Sequence, residues 1–187
     1  MRARLCSRNE HKLRELGASL PGWELALLGV DEFPPEEGAS HYENALAKAR
    51  FGREVGSADE SMLGEDSGLH VDALDGRPGV HSARWSADPI TDLLRELDGV
   101  VDRRARYVCE LVCLSPAGEE VRATGMLAGR IGDDPRGKEG FGYDPIFVPD
   151  GEQRTAAELG NDWKSRNSHR ARAAGALAAA LTTSPQA

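Results

Sequence analysis

The spacing of apolar residues divides the opening third of the chain into alternating strand-like and helix-like segments. Residues 2–6 alternate charged and apolar side chains, which predicts a strand that ends in a tight turn. Leucines then recur at helical spacing from Leu13 to Leu20. Residues 23–30 are typical of a second strand and residues 41–56 of a second amphipathic helix. The pattern therefore predicts a β-α-β-α beginning.

The middle of the chain is dominated by strand patterns. A short apolar strand over residues 61–66 is predicted to end at two adjacent carboxylates, Glu65 and Asp66, and an ordered Gly- and Pro-rich loop containing a further strand follows. Residues 104–116 and 119–131 are typical of the two long strands of a hairpin. A hairpin of this kind favours a mixed rather than a wholly parallel sheet.

The last third returns to short elements. The pattern predicts a short strand over residues 146–149, a helical turn over 154–159 and an Ala-rich helix over 168–181. The 187 residues are close to the usual size of one domain. The fold class expected is α/β, with a mixed central sheet flanked by helices, in a single domain over residues 1–187.

Composition excludes some classes of function. The net charge is -8, from 31 acidic and 23 basic residues, which argues against a protein that grips nucleic acid through its phosphates. No apolar run reaches the roughly 20 residues of a membrane span, and no signal peptide is evident. Three cysteines without zinc-ligand spacing favour buried thiols in a reducing compartment. We expect a cytoplasmic protein that binds neither nucleic acid nor membrane.

Polar residues at the first strand-to-helix junction are candidates for phosphate binding. Free backbone N–H groups at a helix start, together with the Lys12 ammonium, could hold phosphate oxygens. The segment is not the Gly-x-x-x-x-Gly-Lys-Ser/Thr phosphate loop. The alternative is that Asn9 only caps the helix and Lys12 is a solvated residue of its first turn. The candidate segment comprises Ser7, Arg8, Asn9, Glu10, His11 and Lys12.

Carboxylates supply a second candidate site. Glu65 and Asp66, followed by Ser67, stand at the predicted end of a strand, where catalytic carboxylates of α/β folds are often found. Oxygen ligands of this kind suit magnesium. Glu36 and Glu37 lie in the loop before the second helix, where the chemistry of a helix start is the simpler explanation for carboxylates. The alternative is that Asp66 and Ser67 shape a turn.

The C-terminal part of the chain contains residues suited to a base and its phosphates. Glycines flank Phe141, an arrangement that lets backbone approach a ligand while presenting an aromatic face. Lys164, His169 and Arg170 add two permanent cations and a titratable ring near a helix start. A glycine-rich turn and a solvated basic helix end are the simpler alternatives.

Five segments in order resemble the ITP/XTP pyrophosphatase family, over nearly the whole chain: SRNEHKLREL, EEGASHYENALAKA, GEDSGLHVDALDGRPGVHSARW, GFGYDPIF and TAAEL…K…SHR. The resemblance implies two lobes around a deep substrate cleft, a homodimer and a Mg2+ cofactor. It also implies hydrolysis of ITP, dITP and XTP to the monophosphate and pyrophosphate. The chain departs from the family in having Glu65 where Asp is usual and His81 where Tyr is common.

The resemblance also implies roles for individual residues. Asp66 would be the general base and would bind Mg2+ with Glu36, and Glu65 is a further candidate ligand. Ser7, Asn9 and Lys12 would hold the triphosphate, and Ser67 would contact substrate beside the carboxylates. The residues expected to bind the nucleoside or to read its 6-oxo edge are Phe141, Gly142, Tyr143, Asp144, Lys164, His169 and Arg170.

Two other functions remain open on the sequence. One is a pyrophosphatase for other modified nucleotides, which would share the phosphate chemistry but differ in its base pocket. The other is a nucleotide-binding sensor without turnover, if Glu65 misplaces the metal. A panel of substrates separates the first from the expected activity, and binding of ITP without product would identify the second.

Overall fold

The computed structural model describes residues 1–183. Within this range the strands are β1 (Arg2–Leu5), β2 (Glu24–Leu27), β3 (Ser61–Val71), β4 (Arg104–Leu114), β5 (Glu120–Ile131) and β6 (Phe147–Pro149). The α-helices are α1 (Glu10–Ser19), α2 (His41–Val55), α3 (Pro89–Glu96), α4 (Ala156–Leu159), α5 (Asn161–Asn167) and α6 (His169–Thr183). Two 3-10 helices cover Asp72–Leu74 and Gly79–Arg84.

The strands form one sheet in the order β2-β1-β3-β4-β5-β6. β1 runs parallel to both β2 and β3, with Leu5 opposite Leu27 on one side and Leu63 on the other. β5 and β6 run antiparallel. The sheet is therefore mixed, which confirms the predicted α/β fold class with flanking helices.

One predicted strand boundary is wrong. β3 does not end at Asp66 but continues to Val71, so Glu65 and Asp66 lie in the middle of an 11-residue strand. The strand continues because Leu69 and Val71 are both fully buried in a core cluster, which gives the second half of the strand its own hydrophobic anchor. The carboxylates are thus fixed by strand geometry on both sides rather than carried by a turn.

The chain folds into two compact units. Among the described residues, the first unit contains 1–66, 109–125 and 170–183, and its core includes Leu5, Leu16 and Leu177. The second unit contains residues 67–108 and 126–169, and its own core cluster includes Leu69, Leu93 and Phe147.

Helix starts follow from local capping chemistry. The Asn9 side chain caps α1, and Ser40 and Glu43 form a capping box at the start of α2, in which each side chain accepts a hydrogen bond from the other's backbone N–H. α1, α2, α4 and α6 confirm predicted helical segments. α3 and α5 were not predicted, although Asp88 as N-cap and Pro89 in the first turn of α3 are recognisable start signals.

The cysteines confirm the expectation of buried thiols. Cys6, Cys109 and Cys113 are free and buried. Burial raises the pKa of Cys6 to about 12 and that of Cys113 to about 11, so neither is a thiolate near neutral pH. Among residues 1–183, no helix is long and apolar enough to cross a membrane.

Candidate functional site

The Asp66 carboxylate is held by three side chains of α2. Its Oδ2 lies 2.6 Å from His41 Nδ1 and 3.4 Å from Asn44 Nδ2, and its Oδ1 lies 3.1 Å from Lys48 Nζ. Burial opposes ionisation, but the hydrogen bond from His41 and the charge of Lys48 outweigh it and lower the pKa of Asp66. Asp66 is therefore a carboxylate at neutral pH, and His41 Nδ1 carries the proton that it donates.

Lys48 joins two of the predicted metal ligands. Its ammonium contacts Glu36 Oε1 as well as Asp66 Oδ1, and it donates to the Glu65 backbone carbonyl at 3.1 Å. Burial disfavours the ammonium, but Asp66, Glu65 and Glu36 outweigh this and raise its pKa. Two carboxylates of different elements thus converge on one cationic centre.

The carboxylates of Glu36 and Asp66 are the oxygen ligands available to a divalent metal at this site. Within residues 1–183, no group of three or more His, Cys, Asp or Glu side chains is assembled for a metal. The two oxygens that face Lys48, from Glu36 and Asp66, match the one or two carboxylates by which proteins usually hold Mg2+, with water and substrate phosphates completing its shell. The residues present fit such an ion as a substrate-dependent partner rather than as a closed protein site.

Glu65 has a different role from its neighbour. Its side chain is fully buried, with Oε2 at 2.5 Å from Lys12 Nζ and Oε1 at 2.9 Å from Arg170 Nε. Burial opposes ionisation, yet Lys12, Arg170 and Lys48 outweigh it and lower the pKa of Glu65. Because each of its oxygens pairs with a Lys or Arg cation, whereas only Oδ1 of Asp66 does so, the geometry favours Glu65 as an ion-pair centre over a metal ligand.

Arg170 is held on a second side by α1. Its Nη1 donates to Glu15 Oε2 at 3.1 Å, so the guanidinium lies between the carboxylates of Glu15 and Glu65. All three side chains are buried. A buried charge is tolerated when it is paired, and each charge of this network lies against an opposite charge.

Gly64 brings α2 close to the two carboxylates. A Cβ at this position would lie 1.9 Å from the Ala45 carbonyl oxygen and 3.0 Å from the Ala49 amide nitrogen. Real Cβ atoms do not approach backbone this closely, so glycine is required. The close approach allows His41 and Lys48 of α2 to reach Asp66 on β3.

The start of α1 is ordered by its own side chains. Asn9 Oδ1 accepts hydrogen bonds from the backbone N–H groups of His11 and Lys12 at 2.9 and 3.2 Å, and Ser7 Oγ accepts one from Asn9 N at 3.1 Å. The capping alternative considered for Asn9 is therefore correct for its side chain. Lys12 is not a solvated residue, since it pairs with Glu65.

Three residues of the candidate phosphate-binding segment, residues 7–12, lie at the surface. Arg8 is exposed and its Nη1 donates to the Asp31 carbonyl oxygen at 2.8 Å. Glu10 and His11 are exposed at the start of α1. The structure therefore gathers Lys12 with the carboxylates and leaves the contacts of these three residues with substrate as predictions.

A cavity of about 240 Å³ opens beside Glu36 and Lys48. It is lined mainly by the loop before α2 and by one face of that helix. The lining residues are Pro34, Pro35, Glu36, Glu37, Gly38, Glu43, Asn44, Ala47 and Lys48. The Glu36 and Glu43 carboxylates and the buried Lys48 ammonium in its lining are groups that suit hydrated ions and phosphate oxygens.

The second unit contains a separate constellation around Asp144. Oδ2 of Asp144 accepts from Lys164 Nζ at 2.6 Å and from the Phe141 backbone N–H at 2.8 Å. Lys164 Nζ also lies 4.8 Å from the centre of the Phe141 ring, a cation–π distance. Lys164 and Asp144 are buried while Phe141 is half-buried, so a buried ion pair orders a loop that is itself partly exposed.

Gly140 permits this arrangement. It adopts a φ of 79°, and a Cβ there would lie 2.2 Å from Asp144 Oδ2. A side chain at this position would displace the carboxylate from Lys164 and from Phe141 N. The flanking glycine is thus required for the Asp144 contacts and not only for a turn.

The remaining predicted residues of the second unit differ in exposure. Gly142 is exposed with a φ of 61°, and Ser67 is half-buried on β3. Tyr143 is buried in the core, with its hydroxyl 3.2 Å from the Ser82 carbonyl oxygen, and burial raises its pKa to about 12. His169 is buried at the start of α6, with its ring stacked on that of Tyr107 at 4.6 Å between centroids.

The sequence analysis missed five residues that organise these sites. His41, Asn44 and Lys48 follow one another at helical spacing along α2, a polar stripe on a buried face that periodicity alone could have revealed. Glu15 occupies a buried position of α1 in the same way. Tyr107 carried no local signal, since an aromatic residue in a strand is ordinarily read as core.

Comparison with known proteins identifies the family to which the chain belongs. A family model described as the Ham1 family matches residues 3–180. The chain is 42% identical over 179 residues to a dITP/XTP pyrophosphatase of Deinococcus deserti, covering 92% of this chain and 85% of that one. It is 45% identical over 193 residues to a dITP/XTP pyrophosphatase of Mycobacteroides abscessus, covering 95% and 93%.

Solved structures agree with the sequence relatives. The Ham1 protein of Staphylococcus aureus superposes with a TM-score of 0.84 at 32% identity, covering 97% of this chain and 98% of that one. A HAM1 protein of Coxiella burnetii gives a TM-score of 0.84 at 34% identity, covering 98% and 100%. The mixed sheet and its flanking helices are therefore shared along nearly the whole chain.

Proposed function

This chain belongs to the Ham1 family, and we propose that it hydrolyses the deaminated purine nucleoside triphosphates ITP, dITP and XTP to the monophosphate and pyrophosphate. The observation that carries this proposal is the identity of 42 to 45% with proteins named dITP/XTP pyrophosphatase, over more than nine-tenths of the chain. A nucleotide substrate accords with the clusters of cations and carboxylates around Asp66 and Asp144.

Asp66 is the residue we assign as general base. It is ionised, and His41 and Lys48 each hold one of its two oxygens. A carboxylate fixed in this way can orient water and accept a proton from it, while His41 stabilises the orientation. We propose that the water attacks the α-phosphorus, so that the products are monophosphate and pyrophosphate.

Magnesium is the cofactor we propose. When bound, Mg2+ neutralises the triphosphate and stabilises pyrophosphate as the leaving group. Glu36 and Asp66 would hold it, because their carboxylates already converge on one cationic group, Lys48. Lys48 and Lys12 supply further positive charge for phosphate oxygens, with Ser7 and Asn9 beside Lys12 at the start of α1.

Base selectivity is assigned to donors at the start of α6 and to the loop around Phe141. The Arg170 guanidinium is an all-donor group, so it suits the 6-oxo acceptor of hypoxanthine and xanthine and opposes the 6-amino donor of adenine. Glu15 and Glu65 fix its orientation. Phe141, Gly142 and Asp144 are assigned to nucleoside binding, with Lys164 as a further contact and His169 as a reader of the base.

The experiment that tests the function is pyrophosphate release from ITP, dITP, XTP, GTP and ATP, with and without Mg2+. Metal-dependent release from ITP, dITP and XTP, with much slower release from ATP and GTP, is expected. Orthophosphate as the first product would contradict attack at the α-phosphorus. Tight ITP binding without any product would instead indicate a sensor, an alternative that no structural observation favours.

We also propose that residues 1–187 act as one functional domain and assemble as a homodimer. Sedimentation equilibrium of the full chain tests the assembly, with twice the 20.1 kDa chain mass as the expected result. A species of single-chain mass at micromolar concentration would contradict it.

A further inference from the structure

Tyr107 lies on β4 in the core of the second unit and contacts two aromatic rings. Its ring is nearly parallel to the imidazole of His169, with centroids 4.6 Å apart and an interplanar angle of 8°. The ring of Phe147, fully buried on β6, lies 4.7 Å away at 58°. Tyr107 itself is 8% exposed. The tyrosine therefore links the hydrophobic core to a polar ring at the start of α6.

The hydroxyl of Tyr107 reaches a different member of the site. It lies 3.4 Å from Asp144 Oδ1, whereas Lys164 Nζ and Phe141 N both donate to Oδ2 of the same carboxylate. Three donors from β4, α5 and the Phe141 loop thus hold the two oxygens of Asp144. A carboxylate held at both oxygens cannot rotate without breaking a hydrogen bond.

We propose that Tyr107 is a positioning residue that determines base selectivity, acting through His169 with its ring and through Asp144 with its hydroxyl. The proposal rests on the proposed function, in which His169 reads the base and Asp144 belongs to the nucleoside-binding loop. A parallel stack prevents the imidazole plane from tilting, so it fixes the directions in which Nδ1 and Nε2 present a donor or an acceptor.

Hydrogen bonds discriminate between bases only when their direction is fixed. A misoriented imidazole weakens binding of the correct base but costs nothing for a base it does not pair with. Loss of Tyr107 is therefore expected to reduce the efficiency on ITP more than that on ATP. A purely structural role gives a different result, because partial unfolding lowers both rates by the same factor and leaves their ratio unchanged.

The test uses two substitutions of Tyr107 in the full-length chain. Tyr107→Phe keeps the ring stack and removes only the hydroxyl, and Tyr107→Leu removes both. The ratio of kcat/KM for ITP to that for ATP should fall about threefold in Tyr107→Phe, within the range of one lost hydrogen bond. It should fall about tenfold or more in Tyr107→Leu, with KM for ITP changing more than kcat.

Leu93→Ala provides the matched control. Leu93 is fully buried in the same core cluster but lies on α3. Truncation there lowers Tm through a cavity and should leave the ITP-to-ATP ratio within about twofold of wild type. A ratio unchanged in Tyr107→Leu, or a ratio that falls equally in Leu93→Ala, overturns the proposal.

Binding of the products separates this inference from the proposed function. The dissociation constants of IMP and AMP, measured by titration calorimetry, report base selectivity without turnover. A wild-type chain that prefers IMP but releases no pyrophosphate contradicts the enzymatic function, and a smaller IMP preference in Tyr107→Leu still supports the inference. A wild-type chain that releases pyrophosphate from ITP and ATP with equal kcat/KM and binds IMP and AMP equally retains the hydrolytic activity but overturns the inference.

Discussion

Lys12 Nζ lies 2.5 Å from Glu65 Oε2, and the glutamate side chain is completely buried. Its other oxygen accepts from Arg170 Nε. One carboxylate thus holds a cation assigned to phosphate and a cation assigned to the base. Glu65 reaches both partners from the middle of β3.

Replacing Glu65 with Gln should destabilise the fold. The substitution keeps the shape but removes the charge that compensates Lys12 and Arg170. Breaking a buried ion pair from one side costs about 3 to 5 kcal/mol, so the free energy of unfolding should fall by at least about 3 kcal/mol. Urea denaturation followed by circular dichroism measures it.

Glu24→Gln is the control for Glu65→Gln. Glu24 pairs with Arg2 on the surface, where the side chains are 75% and 72% exposed. A solvated ion pair contributes little to the free energy of unfolding, so this variant should unfold close to the wild-type urea midpoint. If Glu65→Gln also unfolds there, the buried network is not a stabilising centre.

Stability should decrease as the pH falls, because the pKa values of Glu65 and Asp66 are lowered by folding from ordinary values of 4.5 and 3.8. For such groups the stabilisation is complete above the unfolded pKa and is lost as pH falls through the folded pKa. Urea midpoints from pH 7 down to pH 3 should therefore decline below about pH 4.5. The difference between wild type and Glu65→Gln should shrink over the same interval, and a constant difference would contradict the ion-pair account.

Gly64→Ala should prevent α2 from packing against β3. The new Cβ would lie 1.9 Å from the Ala45 carbonyl oxygen, and backbone cannot yield as a flexible side chain can. We expect a loss of several kcal/mol or no folded protein, since extra methylenes inserted into a well-packed core already cost about 1 to 3 kcal/mol. Expression and thermal unfolding measure the effect.

Gly17→Ala is the matched substitution in a helix. Gly17 lies in α1, where an added Cβ would meet no atom within 4 Å, and alanine favours helix. A gain of about 0.5 to 1 kcal/mol is expected. Equal destabilisation by both substitutions would mean that close approach at Gly64 is not the cause.

Asp66→Asn should abolish most turnover without unfolding the chain. Asn keeps an acceptor for His41 but cannot accept a proton from water, and general bases contribute about 100-fold to 10,000-fold in rate. The measurement is kcat for ITP at saturating Mg2+, with circular dichroism as the check on folding. Asp102→Asn, at an exposed aspartate that pairs with Arg104, should retain wild-type turnover. Near-wild-type kcat in Asp66→Asn would exclude it as the base.

The sequence predicted which segments form helices and strands better than it predicted where those segments end. Periodicity identified α1, α2 and α6 because each buries one apolar face, and alternation identified the long strands β4 and β5. It ended β3 too early, since the pair Glu65 and Asp66 interrupts an apolar run. Polar residues in mid-strand are stabilised only by distant partners such as Arg170, which no local pattern shows.

The same limit applies to the candidate sites. Asp66, Lys12 and Lys164 were identified from their segments, but the partners that orient them come from other elements: His41 and Lys48 from α2 and Asp144 from its loop. Which side chains meet depends on strand register and on close packing between elements, for example at Gly64. Both are properties of the folded chain and not of any local segment.

Glu36→Gln should raise the Mg2+ requirement. Glu36 and Asp66 face the same cationic centre, so removing one charge weakens attraction for a divalent ion while leaving the base intact. The Mg2+ concentration for half-maximal pyrophosphate release should rise about tenfold, equivalent to about 1.4 kcal/mol. EDTA should stop turnover of the wild type, and added Mg2+ should restore it. Glu37→Gln, the exposed neighbour in the same loop, provides the control for charge alone. If both variants shift the Mg2+ dependence equally, the shift comes from the loss of negative charge in this loop, and Glu36 is not a ligand.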